Sequence, residues 1–228
     1  MNIAELFYSI QGEGILSGVP SVFIRTNFCN LRCTWCDTPY TSWQPEGREL
    51  TLDDICAYVE EHSRGHVVLT GGEPLIAPDA PALTQRLREL NQHITIETAA
   101  TVAPAGLACD LMSLSPKLSN STPHTRDGGR FALQHERLRL NYDAMKTLAA
   151  LCDYQLKFVI ASPGDLPEIQ AIAAALAAPR HRVLLMPEGA TREALAERAS
   201  WVSELCKEHG YRYCPRLHVD LYGNRRGV

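Results

Sequence analysis

Long apolar runs are missing from this 228-residue chain, and with them any stretch of the ~20 residues that a membrane-spanning helix needs. A basic excess is missing too. Against 26 Asp and Glu stand 22 Lys and Arg, for a net charge of -4, which counts against a non-specific nucleic-acid binder. The Arg225-Arg226 pair is too short to alter that balance. The opening residues, Met1-Asn2-Ile3-Ala4-Glu5, have no basic start followed by an apolar stretch, so no secretory signal is expected. Neither H-E-x-x-H nor G-x-S-x-G occurs, which leaves zincin and serine-hydrolase chemistry without support. Repeats and low-complexity tracts are absent as well. What remains, 45% apolar and 21% charged residues, is the composition of a soluble globular protein. Its length suits one domain, residues 1–228, with a real core.

Cysteine is plentiful by contrast, with eight residues. Five are scattered through apolar or helical contexts (Cys56, Cys109, Cys152, Cys206, Cys214) and read mostly as buried free thiols. A reducing cytoplasm accommodates all of them. The other three, Cys29, Cys33 and Cys36, follow a strand-like run with the spacing C-x3-C-x2-C. Three thiolates so close can hold three corners of an iron–sulfur cluster and leave the fourth iron open to a small molecule. Zinc wants four ligands, or three and water, in a tetrahedron. On that alternative the chain is a zinc-stabilised interaction module with Cys56 or His62 as fourth ligand.

Short β-branched runs alternate with amphipathic helical stretches, the pattern of a parallel α/β fold. Strands are expected at residues 21–26, 66–70, 94–98, 110–115, 155–160 and 182–186. Helices are expected at 52–64, opened by a capping-box spacing of Thr51 and Asp54, and at 79–91, 141–151 and 165–176. A last helix runs from about Thr191 to just before Gly210, which suits an αL terminus. Six such strands are too few for an eight-fold barrel, so an open or partial barrel is expected. Parallel sheets place ligands at strand C-termini, where Arg25, Thr70-Gly71-Gly72-Glu73, Glu97 and Ser115-Pro116-Lys117 fall. Residues 119–137, rich in Ser, Thr, His, Gly and Arg, read as a surface loop in preference to a lid.

Thr70-Gly71-Gly72-Glu73-Pro74 ends a strand, and its two glycines let backbone approach a ligand closely. Alone it would be a plain turn. Together, Cys29-Asn30-Leu31-Arg32-Cys33-Thr34-Trp35-Cys36 and Gly71-Gly72-Glu73-Pro74 resemble the radical S-adenosylmethionine superfamily. The resemblance implies that superfamily's partial (β/α)6-type barrel and a [4Fe–4S] cluster on Cys29, Cys33 and Cys36. S-adenosylmethionine would chelate the open iron, with its amino group against the Gly-Gly-Glu-Pro segment. Reductive cleavage to a 5′-deoxyadenosyl radical is the implied chemistry.

A second set of residues looks like the 7-carboxy-7-deazaguanine synthases over essentially the whole chain. It comprises Phe7-Tyr8-Ser9-Ile10-Gln11-Gly12-Glu13-Gly14, Asp37-Thr38 directly after Cys36, and Tyr222-Gly223-Asn224-Arg225-Arg226-Gly227-Val228. That family converts 6-carboxy-5,6,7,8-tetrahydropterin to 7-carboxy-7-deazaguanine with loss of ammonia, on the route to queuosine and other deazapurines. Hydrogen abstraction at C6, ring contraction and regeneration of S-adenosylmethionine are implied. So are substrate contacts from Ile10, Gln11, Gly12 and Thr70, and a pairing of Arg25 with the substrate carboxylate. Thr38 is implied as a Mg²⁺ ligand. Trp35, Cys36, Asp37, Gly72, Ser115, Pro116, Lys117, Met186, Pro187 and Glu188 are implied around S-adenosylmethionine. Many members carry Gln where Met186 stands, which leaves backbone contacts there. Glu97 is a candidate acid or base, or else a strand-end carboxylate in a salt bridge, while His218 and Lys157 receive no role. The family also implies a homodimer and an electron donor of flavodoxin or ferredoxin type, while charge and hydropathy leave neither nucleic acid nor membrane as an expected partner and cysteine usage suits the cytoplasm. The rival within the superfamily is an activating enzyme of a glycyl-radical protein, against which Gln-Gly-Glu-Gly and Asp37-Thr38 both count.

Overall fold

The computed structural model describes Met1–Val228, the whole of the sequence. Its strands are β1 (Asn2–Ile10), β2 (Pro20–Thr26), β3 (Arg48–Glu49), β4 (His66–Gly71), β5 (His93–Thr98), β6 (Leu111–Leu114), β7 (Asp153–Ile160), β8 (Val183–Pro187) and β9 (Arg212–Tyr213). The helices are α1 (Leu52–His62), α2 (Ala80–Glu89), α3 (Ala132–Leu138), α4 (Tyr142–Ala149), α5 (Leu166–Ala175), α6 (Arg192–His209) and α7 (Leu217–Tyr222). All nine strands join one sheet in the order β3-β1-β2-β4-β5-β6-β7-β8-β9. From β2 to β9 every pairing is parallel, whereas β1 runs antiparallel to β2 and β3. The edge strands β3 and β9 do not meet, so the sheet is an open barrel.

Each of the six expected strands is present, shifted by a residue or two at its ends. Alternation along them separates two faces. One face gives Val22, Ile24, Val67, Leu69, Ile94, Ile96, Met112, Leu114, Leu156, Phe158 and Ile160 to the main core, beneath the helices. The other face carries Phe23, Arg25, Thr70, Glu97, Ser113, Gln155 and Lys157, a polar interior that an ordinary core would not tolerate. One sequence period therefore specifies both the core and the chemistry.

Local signals hold where expected. Thr51 and Asp54 complete the capping box of α1, with Asp54 N donating to Thr51 Oγ1 at 3.0 Å, worth about 1 kcal/mol. Gly210 ends α6 at φ 68°. Residues 119–137 depart from expectation. Two 3-10 turns, Ser119–Ser121 and Arg126–Gly129, and then α3 organise them. Their anchor is His135, 1% exposed, whose Nδ1 accepts from Arg32 N at 3.1 Å and whose Nε2 meets Ser121 Oγ at 2.8 Å. A polar anchor leaves no apolar stripe, which is why sequence periodicity passed over this helix. All eight cysteines are free, and Cys56, Cys206 and Cys214 are buried as expected. Cys109 and Cys152 are only half-buried.

Candidate active site

A cavity of about 690 Å³ opens at the C-terminal ends of the parallel strands, within the ~300–1,000 Å³ usual for small-molecule sites. Cys29, Cys33 and Cys36 all line it. So do Ile10, Gln11, Gly12, Arg25, Trp35, Asp37, Thr38, Thr70, Gly72, Glu97, Ser115, Lys117, Met186 and Glu188. Pro116 and Pro187 sit at the same strand ends without reaching the wall. Cys56 lies in the main core and His62 stacks on Tyr58, so neither joins the three cysteines.

The cysteine loop is fastened to the end of β4. Gly72 N donates to Thr26 O at 3.1 Å and Glu73 N to Phe28 O at 3.0 Å. A Cβ on Gly72 would lie 2.2 Å from the Phe28 carbonyl oxygen and 2.8 Å from Cys29 Cβ. The glycine expected to admit a ligand therefore also admits the loop itself. Glu73 is fully buried and does not line the cavity. It accepts from Thr98 Oγ1 at 2.7 Å, Ala99 N at 2.8 Å and Leu75 N at 3.1 Å, and so ties β4 to β5 from behind.

Burial pushes the Cys29 thiol well above its usual range and the Cys33 thiol up to about 12. In the metal-free protein both are protonated, and metal loading must displace those protons. Leu31 N donates to Cys29 Sγ at 3.3 Å, and Ser42 Oγ lies 3.3 Å from Cys36 Sγ, the kind of contact that steadies cluster thiolates. No three His, Cys, Asp or Glu side chains converge on a single ion. This donor set suits a cluster with one ligand per iron and does not suit tetrahedral zinc.

On the inner face Glu97 is central. Its carboxylate accepts from Gln11 Nε2 at 3.1 Å and Thr70 Oγ1 at 3.0 Å, and Lys157 Nζ stands 4.0 Å away. Gln11 is more committed than expected. Its Oε1 accepts from Glu13 N at 3.0 Å, and its backbone bonds to Val19 and Gly18. Arg25 gives Nε to Glu5 at 2.8 Å and no other group of the protein takes its forked Nη end. Tyr40 Oη donates to the same Glu5 oxygen at 2.6 Å. Thr38 opens a short 3-10 turn (Pro39–Thr41), and its hydroxyl accepts from Thr41 Oγ1 at 3.4 Å.

Sequence reasoning missed a largely buried ionic set in the wall of the same cavity. Arg216 donates from Nε to Glu13 at 3.1 Å, from Nη2 to Asp37 and from Nη1 to Gly189 O. Lys157 pairs with the other Glu13 oxygen. Burial alone would raise the Asp37 carboxyl, but the charge and hydrogen bond of Arg216 together with the charge of Arg25 outweigh it and hold the group below the usual range. Glu13 is lowered likewise, with Lys157 and then Arg216 overcoming its desolvation. Burial lowers His218, which packs so tightly that a Cβ on Gly12 would lie 1.9 Å from its Nδ1. The C-terminal residues Asn224–Val228, given no role from sequence, also line the cavity. Arg226 lies 3.8 Å over the Tyr40 ring and pairs with Glu46 at 3.0 Å.

A three-cysteine loop at the mouth of an open parallel barrel, fastened by Gly-Gly to the next strand, defines the radical S-adenosylmethionine class, and residues 23–117 match the Radical SAM superfamily. Enzymes of this class carry a [4Fe–4S] cluster and use S-adenosylmethionine. The fold is similar to the crystal structure of QueE from Escherichia coli, with TM-score 0.69 and 24% identity over 95% of this chain and 94% of that one. Sequence comparison is more specific. The chain is 48% identical to the 7-carboxy-7-deazaguanine synthase of Rhodopirellula baltica, over 99% of this chain and 88% of the relative. It is 46% identical to that of Halobacterium salinarum, over 97% and 90% respectively. This chain belongs to the 7-carboxy-7-deazaguanine synthase family.

Proposed function

We propose that the cavity converts 6-carboxy-5,6,7,8-tetrahydropterin to 7-carboxy-7-deazaguanine with loss of ammonia, and that S-adenosylmethionine is regenerated. The observation that carries this is the meeting of the cysteine loop with Gln11, Arg25, Thr70 and Glu97 in one cavity. Cys29, Cys33 and Cys36 would hold the cluster, which with S-adenosylmethionine bound would supply hydrogen-atom abstraction at C6 of the pterin.

The protein's own part is binding, orientation and proton handling. The free Nη pair of Arg25 suits the planar substrate carboxylate, which it can hold through two parallel charge-assisted bonds. Gln11, Thr70 and Glu97 form a row of donors and acceptors for the amide and amine edges of a pterin. Glu97 is the proposed proton acceptor, because it faces the cavity on neutral hydrogen bonds with Lys157 near enough to steady its charge. Thr38 offers a hard oxygen beside Asp37, and this supports Mg²⁺ there with substrate and water completing the shell. Gly72, Ser115, Lys117 and Met186 form the wall that we assign to S-adenosylmethionine.

One sheet that takes strands from both ends of the chain supports a single domain over residues 1–228. No helix is long and apolar enough to cross a membrane. Family resemblance supports a cytoplasmic homodimer served by a flavodoxin or ferredoxin.

The test is anaerobic turnover of iron- and sulfide-reconstituted protein with S-adenosylmethionine, dithionite, Mg²⁺ and the pterin, read by mass spectrometry. Product without matching consumption of S-adenosylmethionine is expected. Cleavage to 5′-deoxyadenosine without deazaguanine would overturn the substrate assignment.

A further inference from the structure

With substrate and S-adenosylmethionine in the cavity, the inner side of the cluster loop is covered. An electron must then arrive across the outer side, and that side is built in a particular way. The Cys33 carbonyl accepts from Trp43 Nε1 at 3.0 Å. Arg126 donates to the neighbouring Thr34 O at 2.8 Å and lies 4.1 Å over the Trp43 ring. Trp43 meets Phe131 edge-on at 5.7 Å, and Phe131 in turn takes Arg32 and Arg130, each 5.2 Å from its centroid. Arg32 donates to the Cys29 carbonyl at 2.7 Å. Stacked aromatic rings and guanidinium groups thus run from the surface to the backbone of two of the proposed cluster ligands.

The outer end of this stack is exposed and basic. Arg130 is exposed, and α3 carries Leu133, 87% exposed, and the exposed Arg137 one turn further on. Glu136, on the same helix, pairs with Arg139 at 2.8 Å, a charge that Glu168 shares, and Asp127 adds an exposed carboxylate, so the positive balance of this region comes from Arg32, Arg126, Arg130 and Arg137. In a chain of net charge -4 this face runs against the overall sign, and an exposed leucine flanked by two exposed arginines is the anatomy of a small transient docking site.

We propose that the face formed by Arg130, Leu133 and Arg137 docks an acidic one-electron carrier protein, which reduces the cluster through the Phe131 and Trp43 stack. One electron leaves the carrier and one enters the cluster, with no bond made or broken and no proton moved. The proposal rests on the cluster assignment above, and it commits to an electron carrier as occupant because of charge complementarity and the run of the stack to Cys33 and Cys29.

The test follows cluster bleaching anaerobically in reconstituted protein, with an acidic reduced flavodoxin or with dithionite as reductant. The Arg130→Glu/Arg137→Glu variant should be reduced by the flavodoxin at least ~10-fold more slowly at low salt. That difference should shrink as salt screens the encounter, whereas the rate with dithionite stays that of the unsubstituted protein. Leu133→Ser should slow only the flavodoxin reaction, and Arg130→Lys/Arg137→Lys should keep its rate. Unchanged flavodoxin rates, or equal slowing with both reductants, would overturn the proposal. So would a change from dimer to monomer in the charge-reversed variant, since the face would then join two copies of the chain. Cluster bleaching by flavodoxin without any deazaguanine would sink the substrate assignment and leave the docking face standing.

Discussion

Replacing Arg216 with methionine should cost about 3 kcal/mol of stability. The guanidinium holds together three loops that are far apart in sequence, through Glu13, Asp37 and the Gly189 carbonyl. Removing one partner of a buried ion pair costs about 3–5 kcal/mol. Two features move the expectation to the lower end. The Asp37 side chain is 41% exposed and so regains water, and Glu13 keeps Lys157. For a chain of this size, ~3 kcal/mol lowers Tm by about 6–12 °C. Arg216→Lys keeps the charge but loses the planar fork, and should fall between the two. The assay is thermal and urea unfolding of metal-free protein. Its pH dependence is a second check. Asp37 and Glu13 are held below their unfolded values of 3.8 and 4.5. Their contribution is therefore present above those values and lost as pH falls through and below them. Arg216→Met should flatten that acid limb. A variant within ~1 kcal/mol of the unsubstituted protein, with its acid limb intact, would refute the reasoning.

His135 is pushed down to about 4 by burial, from 6.5 unfolded, so the unfolded chain takes its proton first. Metal-free protein should be insensitive to this group above pH 6.5 and lose up to about 3 kcal/mol as pH drops toward 4. Urea unfolding across that window checks it, and His135→Asn should remove the slope. Gly72→Ala forces a Cβ to 2.2 Å from the Phe28 carbonyl oxygen, an overpacking strain of about 1–3 kcal/mol that should displace the cysteine loop. Iron analysis after reconstitution should find less metal per chain, and a full complement would contradict the packing argument. Arg25→Gln should raise KM for the pterin roughly 10- to 100-fold, as expected for charge-assisted bonds worth about 1.5–3 kcal/mol. A fall in kcat at unchanged KM would place Arg25 elsewhere in the reaction.

The barrel was legible because six of its parallel strands are short runs rich in β-branched and apolar residues between helical stretches, as in β4, His66–Gly71. Strand β1 was not seen as a strand, because it is mostly half-buried and lacks a clean alternation. Two-residue strands such as β3 and β9 carry no pattern at all. The cysteine loop, Gly72 and Arg25 could be found because each lies in a short local motif beside a strand end. Arg216 could not. Its bond to Asp37 spans 179 positions and that of Lys157 to Glu13 spans 144, so only the closed fold brings the charges together. The bonds of Glu73 were hidden for a related reason. The motif places it beside the site, and only the fold ties its carboxylate to Thr98 and Ala99.

The central claim is that the cysteine loop and the row of Gln11, Arg25, Thr70 and Glu97 serve a single reaction at C6 of the pterin. Turnover of substrate carrying deuterium at C6, with S-adenosylmethionine recovered and weighed by mass spectrometry, tests it most directly. Deuterium in the recovered S-adenosylmethionine alongside 7-carboxy-7-deazaguanine is the predicted result. Product formed with no deuterium in S-adenosylmethionine or 5′-deoxyadenosine would contradict the account.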